Sequence, residues 1–118
     1  MENSMHNKNM GRWGENLATD FLINEGFQIL ERNYKRKGGE IDVIAVKDDT
    51  IHFIEVKTRS SAKYGHPLEA ISRRKLEHMS RAAQLYMLEN NIINTKAMCL
   101  DAISVLGKEI NFVEGIYL

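Results

Sequence analysis

The sequence predicts an α/β fold, a mixed β-sheet flanked by helices in the order α-β-β-β-α-β-β. Three observations predict it. Two segments repeat apolar residues at helical spacing along one face. Two adjacent runs rich in β-branched and aromatic residues are separated only by Asp48-Asp49, and a further pair of such runs meets at Gly107. With 118 residues and 43% hydrophobic content, the chain has material for one core and one domain, not two.

Residues 1–10 are polar and read as a disordered N-terminal tail, leaving a single domain over 11–118. Gly11 to Glu25 reads as a helix whose apolar face is Trp13, Leu17, Phe21 and Leu22, closed by Gly26. Phe27 to Lys35 reads as a strand, with Phe27, Ile29 and Glu31 alternating against Gln28, Leu30 and Arg32. Lys37-Gly38-Gly39 turns the chain into a hairpin of Glu40–Lys47 and Thr50–Thr58. Arg59 to Leu68 is expected to be a loop carrying Tyr64, Gly65, His66 and the only proline, Pro67. Ser72 can cap a long helix reaching about Asn90, with Leu76, Met79, Ala83 and Tyr86 as its core stripe. Two last strands, near Lys96–Val105 and Glu109–Tyr117, complete the order.

Several function classes are excluded or disfavoured early. No apolar run reaches the roughly eighteen residues needed to span a bilayer, and the first ten residues lack a signal-peptide core. Cys99 is the only cysteine, which rules out an intramolecular disulfide and reads as a buried, inert thiol. A cytoplasmic location is the expectation. The net charge is zero, yet residues 31–37 carry +3 and residues 57–81 carry +5, flanking an acidic hairpin. A phosphate-binding rim around an anionic centre has this pattern, although basic helices are also common solvated faces.

The chemistry concentrates in the hairpin. A two-residue or four-residue loop sets Asp42 across from Glu55 and Glu40 across from Lys57; a three-residue loop would move these partners to opposite faces. Directly opposed carboxylates, with Cβ atoms about 5 Å apart, repel by roughly 3 kcal/mol at an effective dielectric near 20. A divalent cation bridging Asp42 and Glu55 converts that repulsion into binding, and all-oxygen ligation favours Mg²⁺ or Mn²⁺. Lys57 projects from the same strand face as Glu55. The competing reading is a solvated hairpin in which Glu40 and Lys57 form a surface ion pair. Ile44, Val46, Ile51 and Phe53 on the same face weigh against it.

Other candidate residues surround this pair. Glu15 lies at the edge of the first helix's apolar stripe. It is either a solvated flank or a third carboxylate, with Gly11 and Gly14 allowing close backbone approach. Arg73, Arg74 and Lys75 sit in a helix first turn, where they oppose the dipole, as an anionic ligand would explain. His52 faces away from Glu55 and reads as structural. His66 and Gln84 are weaker candidates for touching substrate.

An acid followed by a strand and Glu55-Val56-Lys57 resembles the PD-(D/E)xK signature of the restriction-endonuclease-like fold, with Ile41 where the motif has proline. From Gly11 to Leu118 the chain also resembles the YraN-like family of small bacterial proteins. The matching pieces are Gly14-Glu15, Ile29-Leu30-Glu31-Arg32-Asn33, Gly39-Glu40-Ile41-Asp42, Phe53 to Arg59, Ala70 to Lys75, and Ala82 to Tyr86. A broader similarity links it to archaeal Holliday-junction resolvases. The resemblance implies a metal-dependent endonuclease of structured or branched DNA. Asp42, Glu55 and the main-chain carbonyl of Val56 would hold Mg²⁺ or Mn²⁺, and Lys57 would orient water or stabilise developing charge. Glu15 would complete the metal shell or take a proton, and Arg59, Arg73, Arg74 and Lys75 would grip the backbone. Junction-resolving relatives act as dimers, so a homodimer is implied too. The alternatives are a non-catalytic nucleic-acid-binding module of the same fold, or a small interaction protein whose acidic hairpin docks onto a partner.

Overall fold

The computed structural model describes residues 2–59, 71–92 and 97–116, with side chains from residue 9 onward. Its elements are α1 (Glu2–Asn24), β1 (Gln28–Arg36), β2 (Gly39–Lys47), β3 (Thr50–Arg59), α2 (Arg73–Glu89), β4 (Ala97–Leu106) and β5 (Glu109–Val113). The expected element order is observed. The strands form one mixed sheet in the spatial order β1-β2-β3-β4-β5. Every neighbouring pair is antiparallel except β3 and β4, which run parallel. That parallel pair needs a crossover, which the segment containing α2 supplies.

The sheet has a helix layer on each face. Leu76, Met79, Ala82, Ala83 and Tyr86 of α2 pack on Ile44, Ile51, Phe53 and Leu100. Ala18 and Leu22 of α1 pack on Val43, Ala45, Ile54, Ile103 and Val105. Burial on both faces explains why β2 and β3 read as nearly unbroken apolar runs rather than alternating ones. No helix among the described residues is long and apolar enough to cross a membrane.

Local differences from the sequence reading have physical causes. Helix α1 starts at Glu2 rather than Gly11; no proline or glycine lies before Gly11 to stop it. At its other end Gly26, at φ 95, permits the expected stop, and the Phe27 amide donates to the Leu22 carbonyl at 2.9 Å. Strand β1 does not alternate strictly. Its register against β2 shifts between Ile29 and Glu31, and Asn33 takes a left-handed φ of 54. Beyond the last strand pair, Ala102 with Val113, the Ile116 amide donates to the Leu100 carbonyl at 2.7 Å. The chain therefore leaves β5 at Val113 rather than continuing it to Tyr117, with Gly115 at φ 70 inside the departing segment. Beyond Arg59, the loop expected to end at Leu68, His66 included, lies outside the described residues.

Candidate active site

The hairpin register is settled by its turn. Asp48 and Asp49 have φ 49 and 62, the twin positive values of a two-residue type I′ turn whose twist matches the strands. Lys47 therefore pairs with Thr50, and the ladder runs to Val43 opposite Ile54. Asp42 and Glu55 stand one step beyond that last pair.

There the regular ladder gives way to side-chain bonding. The pairing of β1 with β2 steps over Asn33 and Asp42, connecting Arg32 to Val43 and Tyr34 to Ile41. Across the step the strands change the face they present: Val43 belongs to the α1 core, whereas Tyr34 and Ile41 belong to the α2 core. Asp42 is thereby freed from the ladder, and its Oδ2 accepts the Val56 amide hydrogen at 2.8 Å. The carboxylate takes the place of a strand partner and is fixed beside Glu55.

Glu55 is 5% exposed. Its Oε2 is buried without a hydrogen-bond partner. Lys75 Nζ lies 3.4 Å from that oxygen, near enough for charge attraction but outside hydrogen-bond geometry. Burial, then the charge of Asp42, push the Glu55 carboxyl up to about 7, while Lys75 and Lys57 pull it down. The Asp42 carboxyl is also raised, chiefly by burial; the Val56 bond opposes that shift, and Glu15 adds to it. Two buried acids that lose more by burial and repulsion than nearby lysines return form a site suited to a cation. The donors are hard oxygens, and Glu55 Oε2, whose one charge partner stands off at 3.4 Å, is the atom a divalent ion would satisfy. Asp42 and Glu55 fit Mg²⁺ or Mn²⁺ on these grounds.

The remaining residues fall into place unevenly. Gly14 brings α1 against β3, since an added Cβ would lie 1.9 Å from Thr58 Oγ1. Gly11 has open space and plays no such part. The next residue, Glu15, is held by Arg32, whose Nη2 is 3.2 Å from Oε1. It acts on Asp42 through its charge while its own carboxylate is already paired. Glu40 does not meet Lys57; it pairs with Lys35 in the sheet, and its carboxylate lies 3.6 Å from Lys75 Nζ. Lys57 is exposed. Arg73 and Arg74 are exposed on the first turn of α2, Arg59 is half-buried, and Gln84 is exposed beside Glu77, Ser80 and Arg81 rather than at the acids.

Lys75 is the residue whose position the sequence did not foretell. Ser72 caps α2, its Oγ accepting the Lys75 amide hydrogen at 3.1 Å, so the first turn is fixed with Lys75 pointing at Glu55 and Glu40. Half-burial works against its charge, but Glu55, Glu40 and Asp42 together raise its pKa. Lys75 also lines a cavity of about 360 Å³ with Lys35, Arg36, Gly38, Gly39, Glu40 and His78. One lysine thus joins the acidic pair to a basic cleft. Arg36 in that cleft is partly engaged, 3.1 Å from Glu89.

Residues 14–105 match the model of the uncharacterised protein family UPF0102. The chain is 43% identical over 111 residues to a UPF0102 protein of Clostridioides difficile, covering 92% of this chain and 96% of the relative. It is 46% identical over 105 residues to one from Clostridium botulinum, with 89% and 85% covered. A third, from Alkaliphilus oremlandii, is 49% identical over 86 residues, with 73% and 74% covered.

Proposed function

The chain belongs to the uncharacterised family UPF0102, and on that premise we propose that it is a metal-dependent endonuclease of restriction-endonuclease-like fold, hydrolysing nucleic acid, with structured or branched DNA as its substrate class. The observation that carries the reading is the buried acidic pair: Glu55 Oε2 faces only the Lys75 ammonium at 3.4 Å, beside an Asp42 carboxylate anchored to the Val56 amide. A repelling pair maintained at that cost is explained by a cation.

Asp42, Glu55 and the Val56 carbonyl would hold Mg²⁺ or Mn²⁺. When bound, such an ion polarises a phosphate oxygen and lowers the pKa of water. The Asp42–Val56 hydrogen bond fixes the first carboxylate, and rigid strand packing fixes the second. Lys57, on the Glu55 face of β3, orients water or offsets charge developing on the phosphate. Glu15, tethered by Arg32, raises the proton affinity of Asp42 and would complete the metal's shell or accept a proton through water. Lys75 neutralises Glu55 and Glu40 until substrate arrives, then offers its ammonium to a phosphate in the adjoining cleft. Arg59, Arg73 and Arg74 supply further backbone contacts, and a homodimer would extend that surface across a duplex.

The test is cleavage of labelled DNA with Mg²⁺ or Mn²⁺ on a four-way junction, a flap, a single strand and a duplex, with Asp42→Asn as control. Metal-dependent cutting lost in the variant is expected. A second reading, a non-catalytic nucleic-acid-binding module, draws on the same Lys75 contact, because an internal ammonium already neutralises part of the acidic pair. Binding without cutting under both metals would favour it and overturn the nuclease.

A further inference from the structure

At the far end of β3 from Lys57, three side chains of metal-binding type converge. His52 of β3 is the register partner of Cys99 on the parallel strand β4, and Asp101 lies two residues further along, on the Cys99 face. One ligand atom from each of the three lies within 4.8 Å of the others, the only such group of His, Cys, Asp and Glu among the described residues. Asp101 is fully buried and His52 is 5% exposed. Asp101 Oδ2 is 2.5 Å from His52 Nδ1, and its Oδ1 accepts from the Cys99 thiol at 2.9 Å and the Gly115 amide at 2.9 Å. The cluster opens on a cavity of about 300 Å³ whose lining includes His52, Cys99 and Glu114.

We propose that His52, Cys99 and Asp101 form a site for a borderline-soft divalent cation of the zinc class, separate from the acidic pair. The donor set is the reason. Imidazole, thiolate and carboxylate together suit Zn²⁺, not Mg²⁺. A thiolate and a carboxylate beside a neutral imidazole carry two negative charges, so one Zn²⁺ leaves the buried cluster neutral. On binding, the Cys99 S–H proton is released to solvent and its bond to Asp101 is replaced by a bond from sulfur to metal. The His52–Asp101 hydrogen bond is likewise given up, the imidazole binding through Nδ1 and keeping its one N–H on Nε2. The Gly115 amide stays on the Asp101 carboxylate and orients it, the part an outer hydrogen bond plays in metal sites. The cavity supplies water for the fourth position. Tethering Gly115 to β4 needs only Asp101; it does not require a histidine and a thiol to converge on the same carboxylate. The bound ion would tie β3, β4 and the segment after β5 together, giving the site a structural role.

The experiment is titration of the full chain, freed of chelator, with Co²⁺ alone, followed by absorption. One thiolate-bound ion per chain is expected, counted by a thiolate-to-cobalt charge-transfer band and the strong visible bands of tetrahedral cobalt, which an all-oxygen site such as the acidic pair does not give. Cys99→Ser keeps a hydroxyl donor for Asp101 and so preserves the fold. It should abolish the charge-transfer band and weaken binding at this site by at least about tenfold. In the Glu55→Gln background, where the acidic pair has lost a carboxylate, Zn²⁺ should raise the Tm, and adding Cys99→Ser should remove that rise. Absence of the thiolate band in the unmodified chain, or a Zn²⁺-induced rise in the Glu55→Gln background that Cys99→Ser leaves intact, would overturn the proposal and leave the network as a hydrogen-bonded tether. Neither result depends on nuclease activity.

Discussion

Replacing Glu55 by glutamine should make the metal-free protein more stable above neutral pH. The carboxyl has an ordinary value of 4.5 and is pushed up to about 7 in the fold, by burial first and Asp42 second. A folded value above the unfolded one means that the native state binds the proton more tightly. The stabilisation from Glu55 is therefore complete below about 4.5 and lost as pH rises through about 7. At about 1.4 kcal/mol per pH unit, that window corresponds to about 3 kcal/mol, with the help of Lys75 already included. Glutamine keeps the shape, carries no charge and has no such window. At pH 8 with chelator present, Glu55→Gln should exceed the unmodified chain by up to about 3 kcal/mol, or about 10 °C in Tm for a domain of this size. Below pH 4.5 the two should converge. Urea and thermal unfolding of both proteins across pH 4 to 9 read the difference directly. Adding Mg²⁺ at about a hundredfold its Kd should return about 2.7 kcal/mol to the unmodified chain and little to the variant. Parallel pH profiles, or a variant less stable at pH 8, would refute the claim that burial and Asp42 cost the Glu55 charge more than Lys75 returns.

Three further predictions follow the same geometry. Asp42→Asn retains an oxygen for the Val56 amide and should fold normally while losing cleavage; Asp42→Ala strands that amide and should cost about 1–3 kcal/mol in urea unfolding besides. Lys75→Met removes the ammonium from Glu55 and Glu40, so calorimetry should show tighter Mn²⁺ binding even as cleavage falls; unchanged affinity would separate Lys75 from the metal site. Gly14→Ala forces a Cβ to within 1.9 Å of Thr58 Oγ1 and should destabilise by about 1–3 kcal/mol, with Thr58→Ala restoring much of the loss in the double variant.

What was legible in the sequence was whatever depends on short range. Element order followed from apolar spacing, and the hairpin register followed from period-two side-chain alternation and a two-residue turn. Asp42 and Glu55 could therefore be paired without a structure. Where the reading went astray, a local irregularity intervened. Asn33, at φ 54, and the step over Asp42 flip which face each strand presents, and nothing in the alternation of residues signals such a flip. The same irregularity separates Glu40 from Lys57, the partner that a continued register predicts, and its carboxylate lies beside Lys75.

The sequence by itself determined an α/β domain with two acids on neighbouring strands and basic segments on either side. Only the tertiary structure decided which cation stands at Glu55 Oε2, because α2 reaches β3 across a long connection whose docking no local pattern encodes. It alone also brought His52 to Cys99 and Asp101. Antiparallel neighbours joined by a tight turn inherit their register from that turn. Parallel neighbours such as β3 and β4 inherit theirs from how a distant helix packs, and that is a property of the whole core.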